Sequence, residues 1–143
     1  NLRGSWTIEQ NDYTNIADPT FPSIFADTVG MPRVRFLSTV AWQPTDRLTV
    51  SWDWDWQGSQ EIGDKDAMVA NPDIREFAKY LETGAFNQHD FTMAYQVTDD
   101  LRVRAGVVNA FDEEPAHWLG RNSNDNFDMF GRRYFVNFNY KVW

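Results

Sequence analysis

Apolar and polar residues alternate with a period of two through six stretches of the chain. The clearest runs from Leu48 to Gln57, with Leu48, Val50, Trp52, Trp54 and Trp56 in one set and Thr49, Ser51, Asp53, Asp55 and Gln57 in the other. Period two places the two sets on opposite faces of a strand. By the same reading a first strand covers about Leu2 to Tyr13 and a second Arg33 to Trp42. A fourth covers His89 to Val97, a fifth Leu101 to Val108, and a last one begins at Tyr134 and reaches Trp143. In most of these the apolar set is rich in rings, while the other set carries Asp, Asn, Arg, Thr and Gln.

The connections alternate in length. Residues 43–46 and Thr98-Asp99-Asp100 are short turns, whereas the stretches to Pro32, from Gly58 to Gln88 and over 109–131 are long. One of the long ones predicts a short helix over Asn71–Thr83. Asn71 suits the N-cap, Pro72 the first helical position, and Gly84 the residue past the end. Ile74, Phe77, Ala78 and Leu81 form its apolar stripe.

Composition turns this pattern towards a membrane. Aromatic residues make up 16% of the 143 residues, with seven Trp, eleven Phe and five Tyr, and mean hydropathy is −0.59. A soluble sandwich turns its apolar faces inward, whereas a barrel in lipid turns them outward around a polar lumen. No segment approaches the roughly 20 apolar residues of a membrane helix, which says nothing against strands. The fold class expected is therefore all-β, an antiparallel transmembrane β-barrel segment of about six strands. Alternating loop lengths match such a barrel, with short periplasmic turns and long extracellular loops, the helix lying in one of the latter. Trp42, Trp52, Trp54, Trp56, Tyr95, Tyr134, Phe138 and Tyr140 are expected to form the lipid-facing aromatic girdle.

Charge adds one exclusion and one location. The net charge of −8 argues against nucleic acid as a partner. Residues 58–90 hold seven acids and three bases, net −4, and residues 111–131 hold five acids and one base, net −4, so the acidity gathers at one rim. With no cysteine there is neither disulfide nor thiol chemistry. The start reads as strand rather than as a leader, so the chain is expected to be processed or part of a longer one. Arg33, Arg35, Asp53, Asp55, Asp90, Arg102 and Arg104 share the polar face and are expected to line the lumen. They would touch substrate or plug there, or serve as cross-strand ion pairs that stiffen the wall.

Short motifs connect the pattern to a family. Arg104-Ala105-Gly106-Val107-Val108-Asn109-Ala110-Phe111-Asp112 resembles the penultimate-strand signature of TonB-dependent outer-membrane receptors. Gly131-Arg132-Arg133-Tyr134-Phe135 is similar to the motif that opens that family's last strand, and Pro32-Arg33-Val34-Arg35-Phe36 to one entering an earlier strand. The resemblance covers essentially residues 1–143 and implies the last six of about 22 strands. It implies a chain without the family's plug and TonB box, and a location in the bacterial cell outer membrane. The implied task is uptake of a scarce nutrient, whether ferric siderophore, cobalamin-like or oligosaccharide. Implied partners are outer-membrane lipid, the rest of the barrel and its plug, the TonB complex through the absent N-terminal part, the barrel-assembly machinery and a small nutrient ligand. Trp143 is expected to serve the assembly machinery as the terminal aromatic.

Chemistry beyond transport finds little footing. Asp53 and Asp55 lie on one strand and lack the opposed carboxylate that a glycosidase needs. Asn122–Asp128 has calcium-loop spacing at its first positions but no Gly at the sixth and Arg133 at the twelfth. His89 and His117 fall in different segments. Neither a catalytic constellation, a metal site nor a cofactor is expected, and the chain does not read as an enzyme. In the last loop His117, Trp118 and Arg121 offer a stacking ring with donors and are the candidate substrate contacts. The rival readings are a small self-contained outer-membrane barrel acting in adhesion or as a pore, and a soluble all-β ligand-binding module.

Overall fold

The computed structural model describes residues 1–9, 11–12, 23–24, 30–61, 70, 81–114, 127–128 and 130–142. Its strands are β1 (Leu2–Trp6), β2 (Asn11–Asp12), β3 (Ser23–Ile24), β4 (Val34–Thr45), β5 (Leu48–Gln57), β6 (Phe86–Gln96), β7 (Leu101–Val108) and β8 (Arg133–Tyr140). Six of them form one antiparallel sheet in the order β1-β4-β5-β6-β7-β8, and β2 pairs with β3 in a separate ribbon. Of the helix expected over Asn71–Thr83, residues 71–80 lie outside the described set, and its expected end is not helical: Glu82 forms an isolated antiparallel bridge with Glu61.

Pairing partners, rather than local pattern, set the strand lengths. Alternation predicts a first strand to Tyr13, but β1 stops at Trp6. Thr7 N–H still donates to the Arg33 carbonyl at 2.8 Å, one position past the last paired residues Trp6 and Val34. β4 runs past Trp42 to Thr45 through a register shift at Pro44, where the missing N–H interrupts pairing. β6 begins at Phe86 rather than His89, because Gln57, Trp56 and Asp55 of β5 extend the ladder to Phe86, Asn87 and Gln88.

Both short turns are built alike. The Thr45 hydroxyl accepts Leu48 N–H and the Thr98 hydroxyl accepts Leu101 N–H, each at 3.1 Å. A threonine bonding the backbone three residues on holds a tight reversal in place. The three long connections leave from the opposite end of the sheet.

The sheet is a single layer. Among the described residues the buried apolar side chains are Leu81, Phe86, Ala94 and Phe127, so no core runs beneath the strands. Nineteen large apolar side chains among the described residues are exposed, including Trp42, Met93, Tyr134 and Phe138. A soluble monomer rarely leaves so much contiguous apolar surface uncovered.

Candidate functional site: two faces and a loop-bearing end

The register assigns every strand residue to a face. Asp53 stands directly opposite Asp90, and Asp55 opposite both Leu37 and Gln88. Arg102 and Arg104 stand opposite Asn139 and Asn137. These residues form the polar face, together with Arg35, which pairs in register with Gln57. Arg33 lies one residue before β4, with the parity of Arg35.

The charged side chains of this face are not one ladder. Arg35 binds Asp55 through two hydrogen bonds, Nε to Oδ1 at 3.1 Å and Nη2 to Oδ2 at 2.6 Å, across a diagonal of the sheet. Asp53 accepts the Thr39 hydroxyl at 2.7 Å, and Asp90 accepts Gln88 Nε2 at 3.0 Å and Asn109 N–H at 2.8 Å. Neither of these two acids meets a cation among the described residues, although like charges directly opposite each other repel. Arg104 lies over the Phe135 ring, nearer the turns. Thr39, Asp53, Asp55, Gln88, Asp90 and Arg3 line an open depression of about 370 Å³.

The opposite face carries no Asp, Glu, Lys or Arg from Val34 through Tyr140 at any paired position of β4–β8. Its girdle residues Trp42, Trp52, Trp54, Trp56, Tyr95, Tyr134, Phe138 and Tyr140 all fall here. Near the loop-bearing end the rings pack together. Trp52 and Trp54 stack on His89 at centroid distances of 5.7 and 6.1 Å, and Phe111 meets His89 edge-on at 5.1 Å. Trp52 Nε1–H donates to His89 Nδ1 at 3.0 Å, and Trp54 Nε1–H to Asn87 Oδ1 at 2.5 Å. The position of His89 in this stack escapes a reading of sequence, because the two indoles lie more than thirty residues away and only the register brings them together.

At the loop-bearing end the motif residues touch one another. Gly106 pairs with Phe135, and a Cβ on Gly106 would stand 2.6 Å from the Phe91 carbonyl oxygen and 2.7 Å from the Phe135 ring. A Cβ on Gly131 would stand 2.7 Å from Asp112 Oδ1, which accepts Arg132 N–H at 2.7 Å. Asn109 is fully buried at φ 53°; its side chain accepts Glu113 N–H and donates to the Glu113 carbonyl, both at 2.8 Å. The spacing between the two motifs thus has a mechanical basis: the glycines make room for a ring and a carboxylate of the partner motif.

A buried cluster ties the connections together above the polar face. Gln57, Gln60, Leu81 and Phe86 are buried there, and Phe127 meets Phe86 edge-on at 5.3 Å. Gly30 N–H donates to Gln60 Oε1 at 2.8 Å, and Gln60 and Thr83 exchange bonds at 2.9 and 3.1 Å. Bonds of Gln60 therefore join the first two long connections, and Phe127 brings the third against the start of β6. Of the calcium-spaced stretch, Phe127 is buried in this cluster and Asp128 binds Arg133 through both carboxylate oxygens. His117, Trp118 and Arg121, and likewise Trp143, lie outside the described residues.

No protein-family model matches the chain, and no curated protein matches it in sequence. Among solved structures it is similar to the ferric-catecholate import receptor Fiu from E. coli K12 in its closed form. That likeness covers 83% of this chain at 19% identity, with a TM-score of 0.58. The chain corresponds to 17% of the length of that receptor. At this identity the likeness shows the fold: an all-β, six-stranded antiparallel segment like part of a receptor barrel wall.

Proposed function

We propose that the chain is part of the barrel of a TonB-dependent outer-membrane receptor, which takes up a scarce nutrient by active transport. The observation that carries this reading is the likeness to the Fiu barrel over 83% of the chain. The contacts of Gly106 with Phe135 and of Asp112 with Gly131 support it, since they join the two motifs by which the sequence resembles the family. In this reading the aromatic face meets outer-membrane lipid and the polar face meets the lumen and its plug. The segment is the C-terminal portion of the barrel. The TonB complex and the barrel-assembly machinery act on the whole receptor, with Trp143 the proposed aromatic contact of the latter. The segment binds and encloses; it performs no covalent step.

The cargo belongs to the loop-bearing end. Fiu imports a ferric catecholate, and a ferric siderophore is one cargo class for this chain, beside a cobalamin-like or oligosaccharide ligand. His117, Trp118 and Arg121 are the proposed loop contacts. Disrupting the gene in its source bacterium and following uptake of labelled ferric catecholate, cobalamin and oligosaccharide tests the reading. Energised uptake of one class, lost in the disruptant and in a TonB-deficient strain and restored by the intact gene, is expected. Uptake of all three unchanged by the disruption would contradict it.

A further inference from the structure

The charges of the polar face are divided by height. Asp53, Asp55 and Asp90 stand in its loop-side half, and Arg102 and Arg104 in its turn-side half. The side chain of Arg102 is exposed and makes no hydrogen bond or ion pair among the described residues, although Asp99 and Asp100 stand in the turn just before it. Arg104 meets no carboxylate there either; its guanidinium carbon lies 5.5 Å from the centroid of the Phe135 ring. That ring occupies the space left by the absent side chain of Gly106, where a Cβ would stand 2.7 Å from it. Gly106, Phe135 and Arg104 therefore form a stack that presents the guanidinium on a ring face. Asn137 and Asn139 stand directly across from Arg104 and Arg102, their side chains exposed and without partners among the described residues.

Two features point to a polypeptide on this patch rather than a free anion. The positions beside it are small: Ala94 stands opposite Arg104 and Thr49, and Thr92 opposite Gly106 and Ser51. They leave a low strip on which a backbone can lie close to the wall. An anion entering from the loop-bearing end would also pass Asp53 and Asp90 first, and their charge repels it.

We infer that Arg102, Arg104, Asn137 and Asn139 form a docking surface for a carboxylate-bearing segment of the plug, with the carboxylate against Arg104 and the backbone over Ala94 and Thr92. This rests on the proposal that the polar face encloses a plug. The planar fork of arginine holds a carboxylate through two parallel bonds, and the ring beneath it fixes the plane of the fork. A carboxylate at the height of Asp53 and Asp90 would be repelled, so the order of charges sets the height at which the segment sits.

Zero-length cross-linking in the intact receptor tests the assignment. In Arg104→Lys an amine takes the place of the guanidinium. A carbodiimide activates the facing carboxylate, the amine displaces the activating group, and an amide bond forms as the reagent leaves as its urea. Peptide mass spectrometry is expected to find that amide between β7 and an Asp or Glu of the plug. The yield should exceed that from Thr49→Lys, on the same face two strands away, about tenfold or more. Equal yields from the two variants with a plug in place would overturn the inference and leave the receptor reading intact. So would an amide formed only with Asp99 or Asp100, or only with a second copy of the chain. A gene product with no domain inside its barrel would overturn the receptor reading as well. A second measurement does not depend on the reach of lysine. The heat-unfolding temperature of the plug within the receptor is expected to fall by a few degrees in Arg104→Gln and further in Arg104→Glu. Equal temperatures for the parent and Arg104→Glu would overturn the inference.

Discussion

Trp52 and Trp54 stand on one face of β5, and Asp53 and Asp55 on the other, one peptide unit away. The first pair stack on His89 and give their N–H groups to neighbours on the same face. In the second, Asp55 holds Arg35, while Asp53 faces Asp90 with only a threonine hydroxyl as donor. One register therefore produces an uncharged face on which two indole N–H groups find acceptors, and a face on which Asp53 and Asp90 stand opposite each other with no cation among the described residues. The difference fits hydrocarbon on one side and water or a polar partner on the other. Neither face alone distinguishes a barrel from an unusual soluble sheet; the contrast between them does.

The strongest way to break that contrast is to place a cation on each face at the same height. Val50→Arg on the aromatic face is expected to cost about 2–4 kcal/mol of folding stability in vesicles, as for a basic residue near the bilayer midplane. Ser51→Arg, one residue on, is expected to change it by less than about 0.5 kcal/mol. Denaturant titrations of the two variants in vesicles compare them, and equal costs would remove the distinction between the faces.

The joint between the two motifs sharpens the polar face. Gly106→Ala is expected to cost about 1–3 kcal/mol, because the new methyl group meets a backbone oxygen and a ring. Adding Phe135→Ala should return only part of this, since the Phe91 carbonyl remains in place. Complete rescue in the same titration would mean that the ring alone forbids a side chain. Asn109→Ala is expected to lose about 1–3 kcal/mol through its two bonds to Glu113. Asn109→Gly, which keeps the left-handed backbone easy, should lose less; melting curves of the pair separate conformation from hydrogen bonding.

The smallest expected effect concerns the facing carboxylates. Asp53→Asn keeps an acceptor for Thr39 and removes one of two like charges, so it is expected to stabilise by about 0.2–1 kcal/mol at low salt. The gain should fade in about 1 M salt, where screening is nearly complete over a few ångströms. A loss at low salt would show that a cation outside the described residues already neutralises the pair.

The alternation of β5 carries its face assignment openly, because Trp52, Trp54 and Trp56 leave no second phase to choose. β1 misleads for the opposite reason: Ile8 and Glu9 keep the period after the pairing with β4 has ended. The three-loop cluster is invisible in sequence. Gln57 and Gln60 look like solvated polar residues, yet both are fully buried. His89 reads as a lone histidine until the register sets it between two indoles. The family motifs are legible as strings, but what Gly106 and Gly131 are for appears only when Phe135 and Asp112 are seen against them. The proposed ligand contacts His117, Trp118 and Arg121 rest on residue type and spacing alone.

The central claim is that the aromatic face meets lipid and the polar face the interior. A nitroxide scan of residues 89–96 in the intact receptor, reconstituted in vesicles, tests it most directly. Collisions with oxygen are expected to peak at Phe91, Met93 and Tyr95, and collisions with a water-soluble nickel complex at Asp90, Thr92 and Gln96, in strict alternation along β6. The reverse phase, or no contrast between the two relaxants, would contradict the account.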